Sequence, residues 1–127
     1  MALVAHDARK SDLVDWVEDN LDVFRHAVLF STGTTGSRLA EAMPELRITP
    51  LKSGPLGGDQ QIGAMICEDK LDALIFFVDP LAPMPHDVDV KALTRLATVY
   101  DLPMACSRST ADLIVKGLFE NVVDQSA

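Results

Sequence analysis

The sequence predicts an α/β protein, a three-layer α/β/α sandwich built on a five-stranded parallel sheet. Two observations carry that expectation: five short apolar runs, each bounded by turn residues, and amphipathic stretches at helical spacing between them. The chain has 127 residues, 48% of them hydrophobic, which is enough for one sizeable core and too little for two. Residues 1–127 are therefore expected to form a single domain, and no repeat, low-complexity tract or linker interrupts them.

The first strand is expected at Ala2–Ala5. Ser11 suits the N-cap of the helix that follows, with Leu13, Val17, Leu21 and Phe24 on its apolar face. Asp12, Asp15, Glu18, Asp19 and Asp22 fill the other faces and read as solvated surface. A second strand is expected at Ala27–Phe30 and a third at Ile48–Leu51. Asp59 or Gln60 then starts a helix with Ile62, Met65 and Ile66 inward. The fourth strand spans Ala73–Val78, and a helix from about Asp89 to Tyr100 turns Val90, Leu93, Leu96 and Ala97 inward. Met104–Cys106 makes the fifth strand, and Ser109 or Thr110 caps the last helix.

Composition excludes several partners. A formal charge of −8 at pH 7 argues against nucleic acid and against an anionic membrane surface, both of which need a basic face. A small anionic ligand stays open, because a few local donors outweigh a distant charge that salt screens. The longest wholly apolar run, Ala73–Val78, is too short to span a bilayer, and MALVAHDARK reaches charge too early for a signal peptide. A cytoplasmic location is the expectation. Cys67 lies in a helical pattern and Cys106 at a strand end, without CxxC spacing, so both read as reduced, packed thiols and no zinc site is indicated.

In open parallel sheets, ligands bind beyond the carboxyl ends of the strands. The residues there are His6, Asp7 and Lys10; TGTTG, Thr32 to Gly36; SGPLGGD, Ser53 to Asp59; Asp79, Pro80 and the loop to His86, Asp87 and Asp89; and SRST, Ser107 to Thr110. TGTTG combines two glycines, three hydroxyls and a following helix N-terminus, which together describe a phosphate cradle. It is neither GxGxxG nor GxxxxGK[ST], and its plainer reading is a strand-to-helix turn capped by threonine. SGPLGG would face it from the next strand, and Lys10 either adds charge there or is a solvated lysine.

An acid in such a loop is unwelcome for affinity, so Asp59 either caps its helix or does chemistry. Beside Asp7, Asp79 and Asp89 on the same rim, the chemical reading gains: a carboxylate near a bound phosphate ester can take a proton from carbon next to a carbonyl. Crowding by like charge would push it toward a useful basicity. His86 could polarise that carbonyl and donate to the developing enediolate oxygen, or serve only as a loop histidine held for structure. His6 has the same ambiguity, and His26 receives no role.

Together AHD with Lys10, TGTTG, SGPLGGDQQ, IFFVDP and PHDVDVKALTRLA resemble the methylglyoxal synthase family, in the same order over nearly the whole chain. The resemblance implies the family's Rossmann-like version of the sandwich and conversion of dihydroxyacetone phosphate to methylglyoxal and inorganic phosphate. It also implies a homohexamer without metal or organic cofactor, with phosphate as product and possible inhibitor. By the family pattern Asp59 is the catalytic base. His6, Lys10, Thr32, Gly33, Thr34, Thr35, Ser53, Gly54 and His86 bind substrate, and Asp7, Asp79 and Asp89 are the additional acids.

Longer members of the family continue past the last helix into a tail whose arginine reaches a neighbouring subunit, whereas this sequence runs to Ala127 after FENVVDQSA. Arg95 matches the arginine of KALTRLA, and Arg108 is a candidate to replace the tail's charge in part. Two rival readings are an effector-binding regulatory domain, as in carbamoyl phosphate synthetases, and a metal-dependent phosphatase using Asp7, Asp79, Asp87 and Asp89 as oxygen ligands.

Overall fold

A strand covered on both faces needs an unbroken apolar run, and the runs ALVA and LIFF meet that requirement. They form β1 (Ala2–Ala5) and β4 (Leu74–Phe77), buried at every position and paired in parallel at the centre of the sheet. The computed structural model describes residues 1–81 and 90–126, with side chains in the last helix as far as Phe119. With β2 (Val28–Thr32), β3 (Arg47–Leu51) and β5 (Met104–Ala105), the sheet has the order β3-β2-β1-β4-β5, and every pairing is parallel. Pro50 cannot donate to a ladder, and it sits on the edge strand β3, where that loss is tolerated.

The helices are α1 (Lys10–Asp19), α2 (Leu21–Phe24), α3 (Gly33–Ala42), α4 (Gly58–Cys67), α5 (Val90–Val99) and α6 (Arg108–Ser126). Alternation along the strands divides the core in two. Leu3, Ala5, Ile75 and Phe77 pack with Leu13, Trp16, Phe24, Leu39 and Ala111 on the face covered by α1, α2, α3 and α6. Ala2, Val4, Leu74 and Phe76 pack with Ile62, Ile66 and Leu93 of α4 and α5 on the other. These are the three layers expected. Trp16, wholly buried, keeps its indole N–H satisfied by Asp112 Oδ1 at 2.7 Å, which ties α1 to α6.

Several boundaries differ from expectation. Ser11 is not the N-cap of α1: a 3₁₀ turn at Asp7–Arg9 feeds straight into the helix, which begins at Lys10. The helix also stops before Phe24, because Asn20 leaves helical geometry and its side-chain amide donates to Trp16 O at 2.8 Å, so Phe24 belongs to α2. β2 starts at Val28 and runs on to Thr32, two residues beyond Phe30, since β3 pairs with it as far as Leu51. β3 also starts one residue early at Arg47, whereas β4 and β5 exclude Ala73, Val78 and Cys106. Ser109 and Thr110 lie inside the first turn of α6, where the Ala111 N–H already reaches Ser107 O at 3.0 Å.

Both cysteines are exposed, not packed: Cys67 ends α4 and Cys106 lies just past β5. The acidic face of α1 is solvated as expected, with Asp12, Asp15, Glu18 and Asp19 exposed. Among the described residues, no helix is long and apolar enough to cross a membrane.

Candidate functional site

The register brings the carboxyl ends of the central strands to one level, with Ala5 opposite Phe77 and Thr32 opposite Leu51. The next residue on β1 is His6, only 7% exposed, its N–H bonded to Phe77 O at 3.1 Å. Its ring meets Phe76 edge-on at 5.0 Å, and Nδ1 accepts the Asp79 N–H at 2.8 Å. Nε2 is buried and has no partner among the described residues.

Lys10, in the first turn of α1, is no free surface lysine. Its ammonium sits 2.7 Å from Asp7 Oδ1 and also donates to Thr34 Oγ1, which links the first rim segment to the second. The hydrogen bond and charge of Lys10 hold the Asp7 carboxyl below the ordinary aspartate range, although Asp7 itself is open to solvent.

TGTTG is mostly helix. Thr32 closes β2 and Gly33–Gly36 form the first turn of α3, where the N–H groups as far as Thr35 have no intrahelical acceptor and can meet an anion. Thr32 occupies the N-cap position but makes no side-chain capping bond, so the plainer reading of this segment as a threonine-capped turn does not hold. Gly33 has φ +40, and a Cβ there would lie 2.8 Å from Ser53 Cβ. The cradle and the SGPLGG loop therefore touch, and only glycine permits that approach.

The SGPLGG loop is a tight structure of its own. Gly54–Leu56 form a 3₁₀ turn, Gly57 takes the left-handed conformation at φ +107, and the Leu56 and Gly58 N–H groups both reach Ser53 O at 3.0 Å. A Cβ on Gly58 would collide with Lys52 O at 1.9 Å and press on Thr32 Cγ2 at 3.0 Å. Asp59 is the second residue of α4, not its N-cap, which is Gly57. Its Oδ1 is buried and without a partner among the described residues. A helix-capping role, the bland account of this acid, is thereby removed.

Beyond β4, Asp79 turns its carboxylate back to accept the Leu81 N–H at 3.0 Å. His86, Asp87 and Asp89 lie outside the described residues. Arg108 pairs with Asp19 of α1, and Arg95 is exposed on α5. Among the described residues, no group of three or more His, Cys, Asp or Glu stands ready to hold a metal ion.

Sequence reasoning missed two contributors. Gln61 Oε1 accepts the Lys52 N–H at 2.8 Å, fastening the end of β3 to α4; a nine-residue reach from side chain to backbone has no periodic signature. Arg9 donates from Nη1 to Val78 O at 3.1 Å and from Nε to Asp12 at 2.8 Å, with its guanidinium 5.6 Å from the Phe77 ring centre. Its place inside AHDARK, between two named residues, was the available hint.

The geometry has close counterparts. The family model described as the MGS-like domain matches residues 12–106. The chain is 57% identical over 118 residues to a methylglyoxal synthase of Rhizobium rhizogenes, covering 93% of this chain and 94% of that one. To a methylglyoxal synthase of Agrobacterium fabrum it is 58% identical over 115 residues, 91% of either chain. Among solved structures, that of methylglyoxal synthase from Elizabethkingia anophelis NUHP1 superposes with a TM-score of 0.87 at 47% identity, covering 93% of this chain and 77% of the other.

Proposed function

The chain belongs to the methylglyoxal synthase family, and we propose that it converts dihydroxyacetone phosphate to methylglyoxal and inorganic phosphate as a carbon–oxygen lyase. The single observation that carries the reading is the Asp59 carboxylate: one oxygen is buried with no partner among the described residues, and the side chain is released from capping in the first turn of a helix beside two anion-binding loops.

In this reading the phosphate lies against the N–H groups of Gly33 to Thr35 and the Ser53–Gly54 segment, with Thr32, Thr34 and Lys10 as further donors. Asp59 removes a proton from the hydroxyl-bearing carbon, and the pair of electrons forms an enediolate whose oxygen is stabilised by His6 and His86. If the C–O bond to phosphate lay in the enediolate plane, overlap would be poor and the phosphate would stay. Held perpendicular to that plane, the same bond breaks, its electrons leave with phosphate, and protonation of the terminal methylene carbon gives methylglyoxal. Two rigid loops in contact serve that orientation as much as affinity. The acid stands next to the anion loop because the base must reach a carbon a few bonds from phosphorus. Asp7, Asp79 and Asp89 then carry or order protons around Asp59 and the departing phosphate.

The rest of the proposal follows the family. Residues 1–127 act as one domain, in a cytoplasmic homohexamer that needs no metal or organic cofactor and works as a bypass of glycolysis. Phosphate, the product, competes for the cradle. The test is to incubate the protein with dihydroxyacetone phosphate in excess chelator and to measure both products. Methylglyoxal and phosphate in equal amounts are expected. Phosphate without methylglyoxal, or loss of turnover in chelator, would point to a metal-dependent hydrolase instead. Saturable binding of phosphate esters with no turnover would leave a regulatory module.

A further inference from the structure

The peptide unit between Val78 and Asp79 is held from both sides. Its carbonyl oxygen accepts from Arg9 Nη1 at 3.1 Å, and its N–H donates to His6 Nδ1 at 2.8 Å. Arg9 is itself oriented, by its Nε bond to Asp12 and by the Phe77 ring beneath its guanidinium. A cation on the carbonyl side polarises the amide and strengthens its N–H as a donor.

The consequence falls on the histidine. A backbone N–H can only donate, so the ring nitrogen facing it must present a lone pair. That rules out the imidazolium, which carries a proton on each nitrogen, and equally the tautomer protonated at Nδ1. The ring proton belongs on Nε2, the nitrogen that is buried and lacks a partner among the described residues. A buried donor without a partner is costly unless a ligand oxygen completes it.

We infer that Arg9, acting through the Val78–Asp79 peptide, is a positioning residue that holds His6 as the neutral tautomer with its proton on Nε2, a ready hydrogen-bond donor to an oxygen of the substrate. The substrate's part in this rests on the function proposed above; the tautomer does not. Arg9 touches no reacting atom. Its work is to keep His6 from presenting the wrong nitrogen.

Long-range ¹H–¹⁵N correlation NMR of the ligand-free protein reads the tautomer directly. The wild type should show an unprotonated Nδ1 and a protonated Nε2 for His6. In Arg9→Met, which keeps an unbranched apolar side chain but loses the donor, the two nitrogens should shift toward each other as tautomers mix. Turnover of dihydroxyacetone phosphate should then fall about tenfold, the scale of one misplaced donor. Arg9→Lys should restore both readouts. Far-ultraviolet circular dichroism and the thermal midpoint report whether the fold is intact. If Arg9→Met disturbs it, Arg9→Gln, too short to reach Val78 O, is read by the same criteria. A wild-type His6 protonated at Nδ1 or on both nitrogens would overturn the inference, as would an unchanged ring in a folded variant that lacks the donor. A shifted ring in the variant together with no turnover by the wild type would uphold the clamp and count against the proposed enzyme.

Discussion

Asp59 and Gly58 are adjacent and constrained in opposite ways. Gly58 has no room for a side chain, and a Cβ 1.9 Å from the Lys52 carbonyl would force backbone apart. Gly58→Ala should therefore destabilise the protein by roughly 1–3 kcal/mol and misplace Asp59, seen as a lower denaturation midpoint together with reduced turnover. Asp7 is a milder case. Its carboxyl is held below the ordinary value of 3.8 by Lys10, so the stability it adds is present above that value and is lost as pH falls through the lowered one. The side chain is almost fully exposed, so the loss is small. Thermal melts across that acid range should show a flatter pH dependence in Asp7→Asn than in the wild type. Asp7→Asn should also free Lys10 for phosphate, so the inhibition constant for phosphate is expected to fall; a rise would contradict the pairing read here.

At the scale of elements, Gln61 joins the end of β3 to α4. Gln61→Leu removes a hydrogen bond worth about 1 kcal/mol and should quicken hydrogen exchange at the Lys52 amide more than at β1 or β4. The strands and most helices were legible in the sequence because their apolar runs and turn residues are local signals. The boundaries that differed have non-local causes. Asn20 breaks α1 through a side-chain bond to its own helix, and Thr32 extends β2 because a neighbouring strand offers partners; neither is a property of spacing. Ser11 looked like a cap because nothing in the sequence announces the 3₁₀ turn before it. The rim was legible for a different reason. Parallel topology sends every strand to the same end, so His6, Lys10, TGTTG and SGPLGG were bound to gather once the strands were placed. The bonds among them, Lys10 to Thr34 and Asp79 to His6, are long-range and had no trace in the sequence.

For the whole molecule, a charge of −8 surrounds a site proposed to bind a phosphate dianion. Attraction must then come from a few near groups: the N-terminal turn of α3, the Ser53 loop and Lys10. Moderate salt should weaken the unfavourable long-range field more than these short contacts, so the KM for dihydroxyacetone phosphate should change only slightly between low and physiological ionic strength. A KM that rises steeply with salt would place the attraction in exposed lysines and arginines instead. In the proposed reaction Asp59, in the first turn of α4 beside the anion loop, is the base. Asp59→Asn keeps the size of the side chain and removes its basicity, so methylglyoxal formation should fall about 10³-fold while inorganic phosphate still binds. An Asp59→Asn variant that binds phosphate and forms methylglyoxal within about tenfold of the wild-type rate would contradict the account and move proton abstraction to another rim carboxylate.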